Sequence, residues 1–341
     1  MRIFLGLLGI TLVLTAVVDV TWTTLRLTGG GWLTSRVTNL LWRLAVRFTP
    51  SHRALAAVGF GIVLFTVALW LLMIWAGWTL ILEISPRAVL EATTGRPADV
   101  WGRIYYAGST IITIGNNQFR PGNTAWSILS TIAAANGFSL VSLVITYLLP
   151  IVTAEIERRR LAVYITALGR TPQEILIQAW TGSGFGRLED HLVALTLPMT
   201  ELAQGHLAYP VLHCFHSPQR EAAIAPSLAV LDEALTLFAS VLPAHRPDKA
   251  ALYPLRQAIA EFLSTLAEAH LEPERRQPPA PSLERLREAG IPVAVSEGEI
   301  ETVLDTLADR RRLLLGLVEQ EGWSWEDVTR STTDLKERFE S

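Results

Sequence analysis

Three long apolar segments, with one short polar loop between the second and the third, constrain the fold of this chain most strongly. The segments run from about residue 3 to 22, from 54 to 84 and from 124 to 154. Each reaches the length of about 20 residues that a helix needs to cross a bilayer. A non-helical backbone at membrane depth is tolerated only where it lines a water-filled cavity or is buried in protein. The sequence therefore predicts a membrane protein in which this loop has a special environment.

The loop reads Thr-Ile-Ile-Thr-Ile-Gly-Asn-Asn-Gln-Phe-Arg-Pro from Thr110 to Pro121, and we call it the Thr-Ile-Gly loop. Its central glycine, Gly115, can adopt backbone conformations that other residues avoid. Backbone carbonyls in such a loop can replace the hydration shell of a cation. The position of the loop between two spans therefore predicts an ion pore.

This loop resembles the selectivity filter of the potassium-channel pore family, which typically reads Thr-x-x-Thr-Val-Gly-Tyr-Gly-Asp with a proline shortly after. The matching positions are Thr110, Thr113, Ile114, Gly115 and Pro121. The resemblance covers roughly residues 54–160 and implies a pore formed by four copies of the chain around one axis. It implies no cofactor, since permeant K+ or Na+ is the only ion that the filter would hold.

The resemblance also implies roles for individual residues. The filter would consist of Thr113, Ile114, Gly115, Asn116 and Asn117. An aromatic pair on the pore helix, Tyr105 and Tyr106, would support the filter from behind together with Thr110.

Gly137 lies 22 residues after Gly115, where members of this family often have a hinge glycine in the inner helix. The resemblance therefore implies a gating hinge at this position. Phe138, Val141 and Ile145 recur at helical spacing from Gly137 and are candidates for an apolar constriction that gates by dewetting. Packing of the same three side chains against the outer helix is an alternative of comparable weight.

The loop departs from the family pattern in its second half. Asn116, Asn117 and Gln118 replace Tyr-Gly-Asp, and Arg120 precedes the proline. We expect Asn117 to take the left-handed conformation of the glycine that it replaces, because Asn tolerates this conformation better than most residues. The bracing tyrosine hydroxyl and the outer carboxylate are missing, so we expect weak discrimination between K+ and Na+. At the outer mouth, beside Gln118, Arg120 would lower the local cation concentration, unless it points sideways into a partner.

Charge divides the chain into two halves. Residues 1–160 contain 13 Arg against 6 Asp or Glu, a balance of +7, whereas residues 161–341 contain 16 Lys or Arg against 26 Asp or Glu, a balance of −10. The second half is typical of a soluble acidic domain and argues against nucleic-acid binding. The single cysteine, Cys214, excludes an intramolecular disulfide framework and suits a reducing compartment.

Arginine placement predicts the topology. Five arginines follow the first span between residues 26 and 53, and Arg158, Arg159 and Arg160 follow the third. By the positive-inside rule both flanks are cytoplasmic, so the N-terminus and the Thr-Ile-Gly loop lie outside and the C-terminus lies in the cytoplasm. The three spans predict a multi-pass membrane protein. The compact chain and its frequent Arg and Ala indicate a bacterial plasma membrane, that is, the inner membrane. We interpret Asp19, within the first span, as a structural carboxylate that snorkels or pairs with an arginine.

These features predict an all-α membrane protein with a potassium-channel-like pore. Its expected parts are an N-terminal transmembrane helix at residues 1–24, a cytoplasmic interfacial amphipathic segment at 25–53, a pore domain at 54–160 and a helical cytosolic domain at 161–341. In the pore domain, residues 85–97 should form an exposed turret and residues 98–112 the pore helix. In the cytosolic domain, helices are expected near residues 188–204, 226–242, 249–270, 299–321 and 325–339.

The cytosolic half contains no pattern that indicates catalysis. His213, Cys214 and His216 are possible metal ligands, but no second cluster accompanies them, and a zinc site needs more ligands than this stretch supplies. We therefore predict no enzyme and no metal other than permeant ions. No group of catalytic residues supports the further hypothesis of a membrane-anchored enzyme.

The leading hypothesis is a homotetrameric cation channel that conducts monovalent cations through residues 113–117. Gating would involve the inner helix and the cytosolic domain, with an unidentified cytosolic regulator as a partner beside the chain itself and the lipid bilayer. The alternative is a non-conducting membrane sensor or scaffold that keeps the pore fold.

Overall fold

The computed structural model describes residues 1–26, 30–48, 52–269 and 271–330. Helices dominate these residues, so the prediction of an all-α membrane protein is confirmed. In chain order the elements are α1 (Arg2–Leu25), α2 (Trp32–Phe48), α3 (His52–Leu82), β1 (Val89–Glu91), α4 (Val100–Ile111), β2 (Phe119–Pro121), α5 (Thr124–Leu168), α6 (Pro172–Ala179), α7 (Leu188–Ala208), α8 (Ile224–Leu237), α9 (Lys249–Ala269), α10 (Glu284–Glu288), α11 (Glu297–Thr306), α12 (Ala308–Gln320) and α13 (Glu326–Thr329).

Three helices, α1, α3 and α5, are long and apolar enough to cross a membrane by length and composition. The chain forms two compact units, the first from residues 1–47 and 58–152 and the second from the described parts of 48–57 and 153–330. The 45-residue helix α5 continues through Pro150 and contributes residues to both units. It is longer than the third span alone requires.

Asp19 of α1 connects three helices of the first unit. The carboxylate is completely buried and accepts hydrogen bonds from the backbone N–H groups of Leu33 at 3.0 Å and Thr34 at 3.3 Å, in the first turn of α2. It also accepts one from the indole Nε1 of Trp70 in α3 at 2.9 Å. The expected snorkelling or arginine pairing is therefore wrong, because the N-terminus of α2 supplies the partial positive charge. Gly31 permits this approach, since a Cβ there would lie 2.2 Å from Asp19 Oδ1.

Replacing Asp19 by Asn should destabilise the first unit by about 1–3 kcal/mol, the typical cost of a buried donor left without a partner. The new NH2 group cannot accept, so one of the donors around the carboxylate loses its acceptor. Thermal melting in detergent, followed by circular dichroism, should show a lower Tm. In a Trp70→Phe background the same change should cost less, because one donor is already gone. Equal costs in both backgrounds would contradict a role for the indole contact.

Residues 85–97 form the exposed turret that the sequence predicted only in part, since residues 92–97 are exposed but the segment before them is partly buried. β1 pairs antiparallel with β2, with Leu90 opposite Arg120, and Ala88 and Val89 are completely buried. A Cβ on Gly122 would lie 1.7 Å from the carbonyl oxygen of Arg87, so the two connections pack tightly. Three-residue strands are too short to produce a readable alternation, which explains why the sheet was missed.

The second unit is built around α8, in which every residue is buried. Its acidic side chains are paired with arginines of α12, Asp232 with Arg310 and Glu233 with Arg311. The single helix expected at residues 299–321 is wrong, because α11 ends before Leu307 and α12 begins after it. Of the helix expected at 325–339, only α13 is present up to residue 330, and the remainder lies outside the described residues.

Candidate ion-binding loop

Helix α4 leads into the Thr-Ile-Gly loop and is anchored at its start. The Asp99 side chain caps the helix by accepting a hydrogen bond from the Gly102 N–H at 2.7 Å, which satisfies a donor that the helix itself leaves unpaired. Arg103 is buried, pairs with Glu83 at the end of α3 and donates to the Pro86 carbonyl at 3.2 Å. These contacts hold the helix that presents the loop.

Backbone N–H groups at the start of the loop turn back toward α4. The N–H of Thr113 donates to the Thr110 carbonyl at 3.1 Å, and the N–H of Ile114 donates to the Ser109 carbonyl at 3.1 Å. Within the described residues, the carbonyl oxygens of residues 113–117 accept no hydrogen bond. Five consecutive carbonyls are therefore available for another partner, such as a cation.

The backbone conformation of the loop is unusual at Thr113. Its φ is 53°, and Gly115 has a φ of 75°, with Ile114 between them at negative φ. Alternation of this kind places successive N–H groups on one side of a chain, which leaves the carbonyls on the other. A β-branched residue rarely adopts positive φ, and the cost is of order 1–3 kcal/mol. The expected left-handed conformation at Asn117 is wrong, because Thr113 is the only described non-glycine residue with positive φ.

The residues expected to support the loop differ in their surroundings. Tyr106 is buried, and its hydroxyl bonds to Ser130 Oγ of α5 at 2.8 Å, so it connects α4 to α5. Tyr105 is half exposed, with its ring 6.2 Å from that of Phe119. Thr110 contributes its carbonyl to Thr113.

Gly137 lies where α5 touches the last residue of α4. A Cβ at this position would lie 1.9 Å from the carbonyl oxygen of Ile111, so only glycine allows the two backbones to approach this closely. Phe138, Val141 and Ile145 are 71%, 55% and 54% exposed in the single chain. This exposure argues against close packing of Val141 and Ile145 on the outer helix, whereas Phe138 borders a cavity that Ile74 of that helix also lines.

At the outer end of the loop, Gln118 and Arg120 have exposed side chains. The Gln118 carbonyl accepts a hydrogen bond from the Ala92 N–H at 2.8 Å, and Arg120 lies in β2. Backbone pairing next to the two-stranded sheet thus holds this end of the loop, whereas the charge of Arg120 is open to solvent.

The His213 to His216 stretch is packed inside the second unit. Burial raises the pKa of the Cys214 thiol and lowers the pKa of His213, so both groups are neutral at pH 7. No group of three or more metal-ligating side chains occurs among the described residues.

Arg158 is a buried residue whose role the sequence analysis did not identify. It is 2% exposed and donates to the carbonyls of Leu212 at 2.9 Å and Phe215 at 2.7 Å. Its guanidinium lies 3.6 Å from Glu155 and 3.7 Å from Glu321. The sequence alone marked it only as one of three cytoplasmic arginines. The spacing along α5 could have indicated this burial. Arg158 lies seven residues, about two helical turns, from each of the apolar positions 151 and 165, which are also buried.

The sequence is similar to known proteins. Residues 65–154 match the sequence profile of a family described as "Ion channel", and they include α4 and the Thr-Ile-Gly loop. The chain is also 31% identical, over 320 residues, to the "Uncharacterized membrane protein YdjJ" of Bacillus subtilis (strain 168), and the similarity covers 93% of this chain and 94% of that protein. No solved structure is significantly similar to the chain.

Proposed function

The chain belongs to the potassium-channel pore family of ion channels, and from this premise we propose that it is a homotetrameric channel that conducts monovalent cations through residues 113–117. The observation that carries the proposal is the run of five unpaired carbonyls beside N–H groups that are turned back to α4. Carbonyls in a ring are the ligands that replace the hydration shell of K+ or Na+. The role is transport across the membrane rather than catalysis.

Exposed apolar side chains on α5 support assembly around a common axis. One chain supplies one strand of the filter, so several copies are needed to close a ring. Phe138, Val141, Ile145 and Leu149 are exposed in the single chain. In a tetramer this face of α5 would meet its symmetry mates and form the proposed constriction.

We propose that the channel lies in a bacterial plasma membrane with its N-terminus outside and its C-terminus in the cytoplasm. Gating would use the inner helix α5, which continues from the span into the second unit. A regulator could act on α5 through a cavity of about 320 Å³ in the second unit, which is lined among others by Glu157, Tyr164, Glu201 and His206.

Ion flux into liposomes tests the proposal directly. The purified protein should conduct K+ and Na+, and bi-ionic reversal potentials should show weak discrimination between them. Gly115→Ala should reduce flux by about tenfold or more, because a side chain at positive φ strains the backbone by about 1–2 kcal/mol and displaces the coordinating carbonyls.

Gly95→Ala is the matched control. Gly95 also has positive φ, at 67°, and a Cβ added there, as at Gly115, would meet no atom within 4 Å, but Gly95 lies outside the conducting loop. Its variant should keep wild-type flux. Equal losses in both variants would contradict conduction through residues 113–117, and absence of flux for every monovalent cation in the wild type would favour the non-conducting scaffold.

A further inference from the structure

The side chain of Asn116 bridges the two ends of the Thr-Ile-Gly loop. Its Oδ1 accepts a hydrogen bond from the Phe119 N–H in β2 at 2.9 Å, and its Nδ2 donates to Ser109 Oγ in α4 at 2.9 Å. A backbone N–H can only donate, so the amide oxygen must face Phe119 and the amide nitrogen must face Ser109. Both hydrogen-bonding groups of the amide are thereby used inside one chain.

Ser109 is the fixed end of this bridge. It is 6% exposed, and its hydroxyl donates to the Tyr106 carbonyl at 3.0 Å. Its own carbonyl accepts the N–H of Ile114 at 3.1 Å. One residue of α4 therefore holds the loop at two points, through the backbone of Ile114 and the side chain of Asn116. Connected hydrogen bonds of this kind strengthen one another in a site of low dielectric.

Phe119, at the other end of the bridge, is also held by packing. A Cβ on Gly102 would lie 2.7 Å from the Phe119 ring, so the ring rests directly on the backbone of α4. This packing and the hydrogen bond from the Phe119 N–H to Asn116 Oδ1 fix the start of β2 against α4, the helix that contains Ser109. The five residues with unpaired carbonyls lie between these attachments.

We propose that Asn116 is a positioning residue that sets the selectivity of the filter through its amide bridge between Ser109 and Phe119. This inference rests on the proposed function, namely conduction through residues 113–117. Discrimination between ions depends on how many carbonyls are presented and how firmly they are held. The bridge restrains the carbonyls on either side of Asn116. Whatever discrimination between K+ and Na+ the channel has should therefore depend on the bridge.

Two variants break the bridge, one at its centre and one at its Ser109 end. Asn116→Leu keeps the side-chain size but removes both hydrogen bonds, and Ser109→Ala removes the acceptor without changing the loop. Ser127→Ala is the matched control, because Ser127 is exposed on α5 and its hydroxyl only donates to the Asn123 carbonyl. Hydrogen exchange of the Phe119 amide should become about fivefold faster in Asn116→Leu, consistent with the loss of one neutral hydrogen bond. The control should exchange like the wild type.

Bi-ionic reversal potentials of the same variants test whether the bridge sets the ion selectivity. The ratio of K+ to Na+ permeability should fall toward one in Asn116→Leu and Ser109→Ala and should not change in Ser127→Ala. If the wild type conducts and both bridge variants keep its permeability ratio, the inference is overturned while the proposed function stands. If the wild type conducts no monovalent cation, the proposed function fails and the inference fails with it. Unchanged exchange at Phe119 in Asn116→Leu would also overturn the bridge.

Discussion

Replacing Gly137 by Ala should abolish ion flux and destabilise the first unit by about 1–3 kcal/mol, the typical cost of overpacking. The added methyl group would lie 1.9 Å from the Ile111 carbonyl oxygen and 2.7 Å from its carbon. These are backbone atoms and cannot rotate away as a side chain could. The helix-propensity gain of Ala over Gly, up to about 1 kcal/mol, is too small to offset the clash. Because Ile111 lies two residues before Thr113, the first residue of the proposed filter, its displacement should move the filter.

Gly61→Ala provides the matched control for this prediction. Gly61 also lies inside a membrane helix, but a Cβ there meets no atom within 4 Å. Its variant should keep wild-type flux and should not lose stability. Flux in liposomes and Tm in detergent measure both effects. A Gly137→Ala protein that is stable and conducts, but with altered open probability in single-channel recordings, would instead support the hinge role that the family resemblance implies.

Replacing Arg158 by Met should destabilise the second unit by about 3–5 kcal/mol, the usual cost of leaving buried charges without their partner. The variant would leave the carbonyls of Leu212 and Phe215 without a donor and the largely buried carboxylates of Glu155 and Glu321 without a cation. Denaturant unfolding followed by circular dichroism should show the loss.

Arg159→Met is the matched control, because Arg159 is the exposed neighbour of Arg158 in the same helix. Surface substitutions of this kind usually change stability by less than about 0.5 kcal/mol. Similar destabilisation in both variants would show that the overall charge of this arginine cluster, rather than the buried contacts of Arg158, stabilises the unit.

The pH dependence of the Arg158→Met variant gives a second, independent readout. Burial raises the pKa of Glu321 above the ordinary carboxyl value of 4.5, while Arg158 opposes the shift. A raised pKa means that the folded protein binds the proton first, so stability increases as the pH falls through the raised pKa toward 4.5. Without Arg158 the pKa of Glu321 should rise further, and the increase in stability at low pH should be larger. A smaller gain in the variant than in the wild type would contradict this electrostatic account.

Local sequence signals were sufficient for the elements that cross or border the membrane. The amphipathic segment expected within residues 25–53 contains α2 (Trp32–Phe48), and the pore helix expected at residues 98–112 is α4 with bounds of Val100–Ile111. An apolar run long enough to span a bilayer must form a helix, because lipid offers its backbone no hydrogen-bond partner. Such an element needs no knowledge of its neighbours. The Thr-Ile-Gly pattern identified the family by the same kind of local information.

The contacts of single polar residues could not be predicted in this way. Asp19 was expected to snorkel or to pair with an arginine, and it caps α2 and binds an indole 51 residues away instead. Asn116 was interpreted only as a lost tyrosine, and its amide bridge depends on where α4 and β2 meet. Sequence spacing specifies which residues share a face of one helix, but it does not specify which second element lies opposite that face.

The sequence by itself thus determined the membrane-spanning helices, the polar loop between two of them and the family, since each depends on residues that are close together in the chain. Only the tertiary structure decided that Gly137 touches Ile111, that Arg158 is buried among carbonyls and carboxylates, and that Thr113 takes positive φ. The reason is physical: burial, close approach and strained backbone are set by atoms that long stretches of chain separate, and their free energies arise only when those stretches pack.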